Sequence, residues 1–260
     1  MNPAASRILL FFALACAFTW IGHLGNWLWP SPYWPLPMNP LGPIVAAPLA
    51  IWLTEGGRAV KAWLRRIAVV RAPLWVYAIA VAIPLVAIAV SLGVAIVAGA
   101  ATGPLPVLEP LEYLILVPVI LLMGPATEEP AFRGHAQVTL EGQMSPLAAA
   151  ILVGLGVVVW HAPLLLTGAI AWPFAITIAL VSVVYAWLMR MGGSVWPLVV
   201  LHFVVNYVGG ELLGGLLADA QGQILYALVF CGVFIVVVAA IVGRFGPSLG
   251  DTGKVRLAVA

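Results

Sequence analysis

Between Arg71 and Glu109 the chain carries no charged residue. An uncharged, apolar stretch of that length does not suit the surface of a water-soluble domain, whereas about 20 apolar residues are enough to cross a bilayer as a helix. Similar runs recur along the whole chain. Of its 260 residues 64% are hydrophobic and 8% charged, against roughly 25% charged in soluble domains. Too few polar groups remain to cover a water-facing surface. The chain therefore reads as an all-α, polytopic membrane protein, with the lipid bilayer as its first partner. Its net charge of +2 points to no nucleic acid, because the basic residues sit between apolar runs and form no patch. Cys16 and Cys231 both fall in apolar runs, as buried small hydrophobes do, and no disulfide framework is expected.

Eight spans are expected, at about 8–29, 41–55, 73–100, 113–140, 147–168, 172–189, 195–213 and 223–243. The first follows Arg7 and resembles a signal peptide, with Ala15-Cys16-Ala17 as a cleavage-like site. Its apolar run continues to Trp29, about 20 residues, which suits a retained helix better. The loop at 30–37 is proline-rich and uncharged, with Tyr33 and Trp34 suited to an interface. The loop at 56–72 is basic, with Arg58, Lys61, Arg65, Arg66 and Arg71. With eight spans and a cytoplasmic N-terminus, these residues fall on the cytoplasmic side together with Arg7, Arg190, Arg244, Lys254 and Arg256. Every external segment then lacks Lys and Arg, as the positive-inside rule requires. Residues 1–260 read as one membrane domain with both termini cytoplasmic and a polar tail at 244–260. The expected location is a cell membrane, of the bacterial inner-membrane kind.

One stretch breaks this economy of charge: Gly124-Pro125-Ala126-Thr127-Glu128-Glu129-Pro130-Ala131-Phe132-Arg133. Ionisable groups inside a bilayer cost roughly 2.5–3.5 kcal/mol each, which makes them functional candidates. Glu129 and Arg133 are four apart, share a helix face and can pair. That pair alone would serve equally well to pin the fourth helix to a neighbour. It does not account for Glu128, which points about 100° away around the helix. Gly124, Pro125 and Pro130 bend or break this span, and Pro130 is expected to aim Glu128.

Depth links Glu128 to later helices. At about 1.5 Å per residue from the cytoplasmic end of each span, Glu128 lies about 18 Å in, His161 about 21 Å, His202 about 12 Å and Asn206 about 18 Å. His202 and Asn206 are four apart and share a face. His23 reads as a hydrogen-bonded structural residue. His135, seven residues after Glu128 on roughly the same face, is expected nearer the cytoplasmic mouth, with a minor role at most.

Such a group suits water activation. A carboxylate in a low-dielectric site is a competent general base. One histidine can share the water's proton, while a second histidine and an amide donate to an oxyanion. The same residue types also suit a metal. Glu128, His161 and His202 would form a Glu-His-His set with water in the fourth position, zinc being the natural ion. No His-Glu-x-x-His is present, and the expectation is a site without a cofactor. Two other classes remain open. A transporter would use Glu128 and the histidines as a proton relay, although no internal repeat is visible. A non-catalytic scaffold or immunity protein would keep the fold alone.

The order Glu128-Glu129-Pro130-Ala131-Phe132-Arg133, then Val157-Val158-Val159-Trp160-His161, then His202-Phe203-Val204-Val205-Asn206 resembles the CPBP family. These are the CAAX-processing and bacteriocin-processing intramembrane proteases, also called the Abi family. The likeness covers about residues 120–210. It implies an eight-helix fold with a cavity open to the cytosol, and cleavage of a peptide or membrane protein near the cytoplasmic side. It also implies roles: Glu128 and His161 activate water, His202 and Asn206 form the oxyanion hole, and Glu129 and Arg133 shape the site. Two positions depart from the family's pattern. Val157 stands where a Phe is usual, and Pro130 lies inside the first motif. Residues 256–260 contain no cysteine, so this terminus offers no prenylation motif.

Overall fold

The computed structural model describes residues 3–29, 39–105, 107 and 109–250. The loop at 30–37, Lys254 and Arg256 lie outside the described residues. Within them every named element is helical, and the only β-pairing is an isolated antiparallel bridge between Thr102 and Leu217. A chain crossing hydrocarbon must satisfy its backbone groups internally, which a helix does along its own length.

The helices are α1 (Pro3–Leu28), α2 (Gly42–Glu55), α3 (Gly57–Ile67), α4 (Leu74–Val97), α5 (Pro110–Leu122), α6 (Pro125–Ala131), α7 (Val138–Glu141), α8 (Pro146–Trp160), α9 (Ala162–Leu166), α10 (Pro173–Gly192), α11 (Trp196–Val204) and α12 (Ala220–Phe245). A π-helical segment, Phe132–Gln137, joins α6 to α7, and a second, Val205–Leu212, extends α11. Six helices are long and apolar enough to cross a membrane; Gly42–Glu55 and Pro146–Trp160 are shorter apolar helices. Together they occupy the eight regions expected from the sequence. The chain is an all-α polytopic membrane protein.

Three local features refine the sequence expectation. The fourth span breaks at Gly124-Pro125, between α5 and α6, as expected, while Pro130 stays inside helix. Proline suits the first turn of a new helix, where no N–H partner is needed, so the break comes before Glu128. The fifth span ends at Trp160, and His161 caps it with φ −80° and ψ 0°. A helix continuing through Pro163 would need the N–H that proline lacks. The basic segment after α2 contains α3, an amphipathic helix. Its Arg58, Lys61 and Arg65 are exposed, while Trp63 is buried.

α3 leans on the motif helix. Trp63 Nε1 donates to Pro130 O at 3.2 Å, and Arg66 Nη2 donates to Gly134 O at 2.8 Å. Gly134 allows this approach, since a Cβ there would meet Ile67 Cγ2 at 2.8 Å. Two apolar cores flank the motif. One is built mainly from α4, α10, α11 and α12, the other from α1, α2, the motif segment and α8. α8 and α10 meet closely at Gly154, where a Cβ would lie 2.8 Å from Ser182 Oγ and 3.0 Å from Ala179 O. Backbone cannot yield there as a flexible side chain can, so Gly154→Ala is expected to destabilise the protein by about 1–3 kcal/mol. Thermal unfolding in detergent measures this; an unchanged midpoint would show that the two helices separate freely.

Candidate active site

The break at Gly124-Pro125 puts both glutamates in the short helix α6, and both are buried. Glu129 pairs with Arg133 as the i,i+4 spacing requires, Nε to Oε2 at 3.3 Å. Its other oxygen accepts from His202 Nδ1 at 2.9 Å. Glu129 is therefore a bridge between two elements, where the sequence suggested a pair internal to one helix. Arg133 is 1% exposed. Its Nη2 donates to Ser182 Oγ at 3.0 Å, and its guanidinium lies 5.1 Å from the ring centroid of Tyr185. Two buried charges are tolerable when paired and hydrogen-bonded in this way.

Sequence reasoning missed Ser182 and Tyr185. Both sit on α10, three residues apart and hence on one helix face, and a polar pair in an apolar span was the available signal. It also missed Trp160, which fixes the neighbourhood of His161. Trp160 is buried, donates from Nε1 to Thr19 Oγ1 at 2.8 Å and accepts at its carbonyl from Trp20 Nε1 at 2.9 Å. The His161 ring stands edge-on to Trp160, with centroids 4.5 Å apart.

The Glu128 side chain makes no hydrogen bond or ion pair with any described residue. It stands beside Asn206: a Cβ on Gly124 would lie 3.5 Å from Glu128 Oε1 and 3.4 Å from Asn206 Nδ2. The absent side chain leaves room where acid and amide meet. His161 Nδ1 lies 2.9 Å from Val157 O. A carbonyl only accepts, so Nδ1 carries the hydrogen and Nε2 of the neutral ring is left as an acceptor. Val157 contributes a backbone atom here, so the loss of the usual Phe at that position leaves this bond intact. His202 turns Nδ1 to Glu129, leaving Nε2 as its remaining nitrogen.

Glu128, His161, His202 and Asn206 all line one cavity of about 980 Å³, together with Glu129, Arg133 and Tyr185. His135 does not line it. It is buried edge-on to Phe11, 5.3 Å between ring centroids. The π-helical turn Phe132–Gln137 shifts the helix phase between Glu128 and His135, so seven residues no longer return to the same face. His23 is half-buried on α1 and lies off the cavity. Cys16 and Cys231 are free thiols, half-buried and buried.

The donor set does not fit a metal in this arrangement. Among the described residues no group of three or more His, Cys, Asp and Glu side chains is positioned to hold an ion. No step is therefore derived through a metal.

Residues 110–208 match the family model for type II CAAX prenyl endopeptidase, Rce1-like. This segment belongs to the CPBP/CAAX protease family. The match takes in α5, all three motifs and the start of the second π-helical segment. It covers every residue of the cluster just described, and the family is one of intramembrane proteases. No curated protein matches the chain.

Because Glu129 is held between Arg133 and His202, removing Arg133 strands a buried carboxylate. Arg133→Ala is expected to lower stability by about 3–5 kcal/mol. Denaturant or thermal unfolding in detergent reads this out, and a loss below 1 kcal/mol would show that Glu129 does not depend on Arg133.

Proposed function

We propose that the protein is an intramembrane endopeptidase in which Glu128 activates water. The observation that carries this reading is the contrast between neighbours. Glu129 is tied down by two partners, while Glu128, equally buried, has none and faces the shared cavity. A buried carboxylate without a partner is costly, and catalysis gives it a use.

Glu128 accepts a proton from a water molecule as the water oxygen attacks the carbonyl carbon of the scissile peptide. His161 Nε2, left as an acceptor by the bond from Nδ1 to Val157 O, orients the same water. Charge then develops on the carbonyl oxygen. The Asn206 amide, and His202 in its doubly protonated form with hydrogen on Nε2, donate to that oxygen. Glu129 orients His202 through Nδ1 and leaves the other nitrogen to act. Protonated Glu128 passes its proton to the leaving amine as the C–N bond breaks, so the enzyme ends as it began. Glu129 and Arg133 are positioning residues. The apolar lining favours an extended peptide segment of a membrane-associated protein, prenylated or not. A bacteriocin-type leader or a membrane-anchored signalling peptide has that character.

The test incubates purified protein with a library of membrane-derived peptides. Glu128→Gln is expected to lose at least about 100-fold in cleavage rate. Asn206→Ala should lose about 100- to 1000-fold in kcat. Both variants should keep the wild-type melting temperature within about 3 °C, since neither residue is held by a structural bond. Equal cleavage by wild type and Glu128→Gln would end the proposal. Loss of wild-type activity on chelation would end its metal-free form.

A further inference from the structure

We propose that the exposed face of α3 binds the headgroups of anionic phospholipids in the cytoplasmic leaflet. The proposal concerns this helix and does not depend on the proteolytic reading.

Helix phase defines the face. Arg58, Lys61 and Arg65 are exposed. At 3.6 residues per turn they lie within about 60° of one another, on the side of the helix about 180° from Trp63. Trp63 is buried, and it and Arg66 donate to the carbonyls of Pro130 and Gly134. The apolar side of α3 is thus committed to the motif segment, and the three cations are turned outward along roughly 10 Å of helix. None of the three pairs with a described carboxylate. The nearest acid in sequence, Glu55, is taken by Arg7 at 3.1 Å. Basic residues elsewhere are placed differently. Arg190 pairs with Glu141, Arg133 is buried with Glu129, and the Arg244 guanidinium stands over the Phe245 ring. Among the described residues, α3 is the helix that presents several unpaired cations on one face.

Charge alone would suit a free phosphate or an acidic protein equally well; the surroundings favour a lipid. α3 joins the ends of two apolar helices, α2 and α4, the second long enough to cross a membrane. It therefore lies where a span leaves the hydrocarbon. Beside its cations stand exposed Leu64, Val69, Val70, Leu74 and Trp75, with Arg71 exposed among them. Apolar side chains next to cations, with a Trp at the start of a span, match acyl chains on one side and phosphates on the other. Lys and Arg clustered on an amphipathic helix beside a span are drawn to the anionic cytoplasmic leaflet, and arginine forks fit phosphate oxygens in pairs. The positive-inside rule puts this basic end on that side. Residues 251–260 do not compete for the face, since Lys254 and Arg256 outnumber Asp251.

Native mass spectrometry of the full chain in detergent, titrated with phosphatidylglycerol or phosphatidylcholine, resolves lipids bound one at a time. Wild type should bind its first phosphatidylglycerol at least about tenfold more tightly than phosphatidylcholine, each cation near an anionic surface being worth roughly fivefold. The triple substitution Arg58→Gln, Lys61→Gln, Arg65→Gln should bring the two lipids within about twofold. Arg58→Lys with Arg65→Lys should keep the preference, as should Arg244→Gln. The triple variant should melt within about 3 °C of wild type, because none of the three side chains has a partner. In wild type itself the preference should fall at least about threefold when salt is raised from about 0.05 M to about 0.5 M. An equal preference in wild type and the triple variant would overturn the proposal, as would its loss in Arg244→Gln; both would place the lipid elsewhere. Glycerol phosphate bound as tightly as phosphatidylglycerol would overturn it by showing a soluble phosphate site. A wild type without preference, or one whose preference ignores salt, would overturn it and leave the face to an acidic protein.

Discussion

The structure turns on one carboxylate held from two sides. Glu129 accepts from Arg133 in its own segment and from His202 on α11, and both members of its ion pair are buried. That contact joins the motif segment to the helix carrying His202 and Asn206. Arg133 extends the connection to α10 through Ser182 and Tyr185. Three elements are thus fixed around a polar knot that no apolar contact could specify as sharply. Buried polar networks of this kind carry a high penalty if any member is removed. Beside this network the Glu128 side chain is the one left without a partner, which is why it is proposed as the base.

The backbone around the knot departs from regular helix near each of its residues. Gly124-Pro125 breaks the span just before the glutamates, π-helical segments include Arg133 and Asn206, and His161 stands at a helix end. Irregular backbone inside a membrane is tolerable only where it lines a cavity or is buried in protein, and π-helical turns gather at functional sites. These breaks aim side chains from three spans at one space.

Much of this was legible in the sequence, because apolar runs and scarce charge are strong signals. All eight apolar regions emerge from run length, and the Glu129–Arg133 pair from i,i+4 spacing. Depth counting brought Glu128, His161, His202 and Asn206 to one level, and all four line the same cavity. What spacing could not give was the contact between helices. The bond from His202 to Glu129 depends on how α11 packs against α6. The role of α3 was hidden because basic residues in a short segment read as a loop, and it is the burial of Trp63 and the bonds from Trp63 and Arg66 that show the helix is seated. Of the three residues expected to bend or break the fourth span, Gly124 and Pro125 mark the break, while Pro130 lies within α6 just before the first π-helical segment. The phase of His135 was misjudged because a π-helical turn has no sequence signature comparable to a proline.

The central claim is that two adjacent glutamates do opposite work, one structural and one chemical. Thermal unfolding of Glu128→Gln and Glu129→Gln, measured side by side in detergent, tests it most directly. Glu129→Gln removes the charge and one of the two acceptor oxygens that Arg133 and His202 use, and should lower stability by about 3–5 kcal/mol. Glu128→Gln removes an unpartnered buried carboxylate and should leave the midpoint unchanged or raise it. Equal destabilisation by the two substitutions, or a larger loss from Glu128→Gln, would contradict the account.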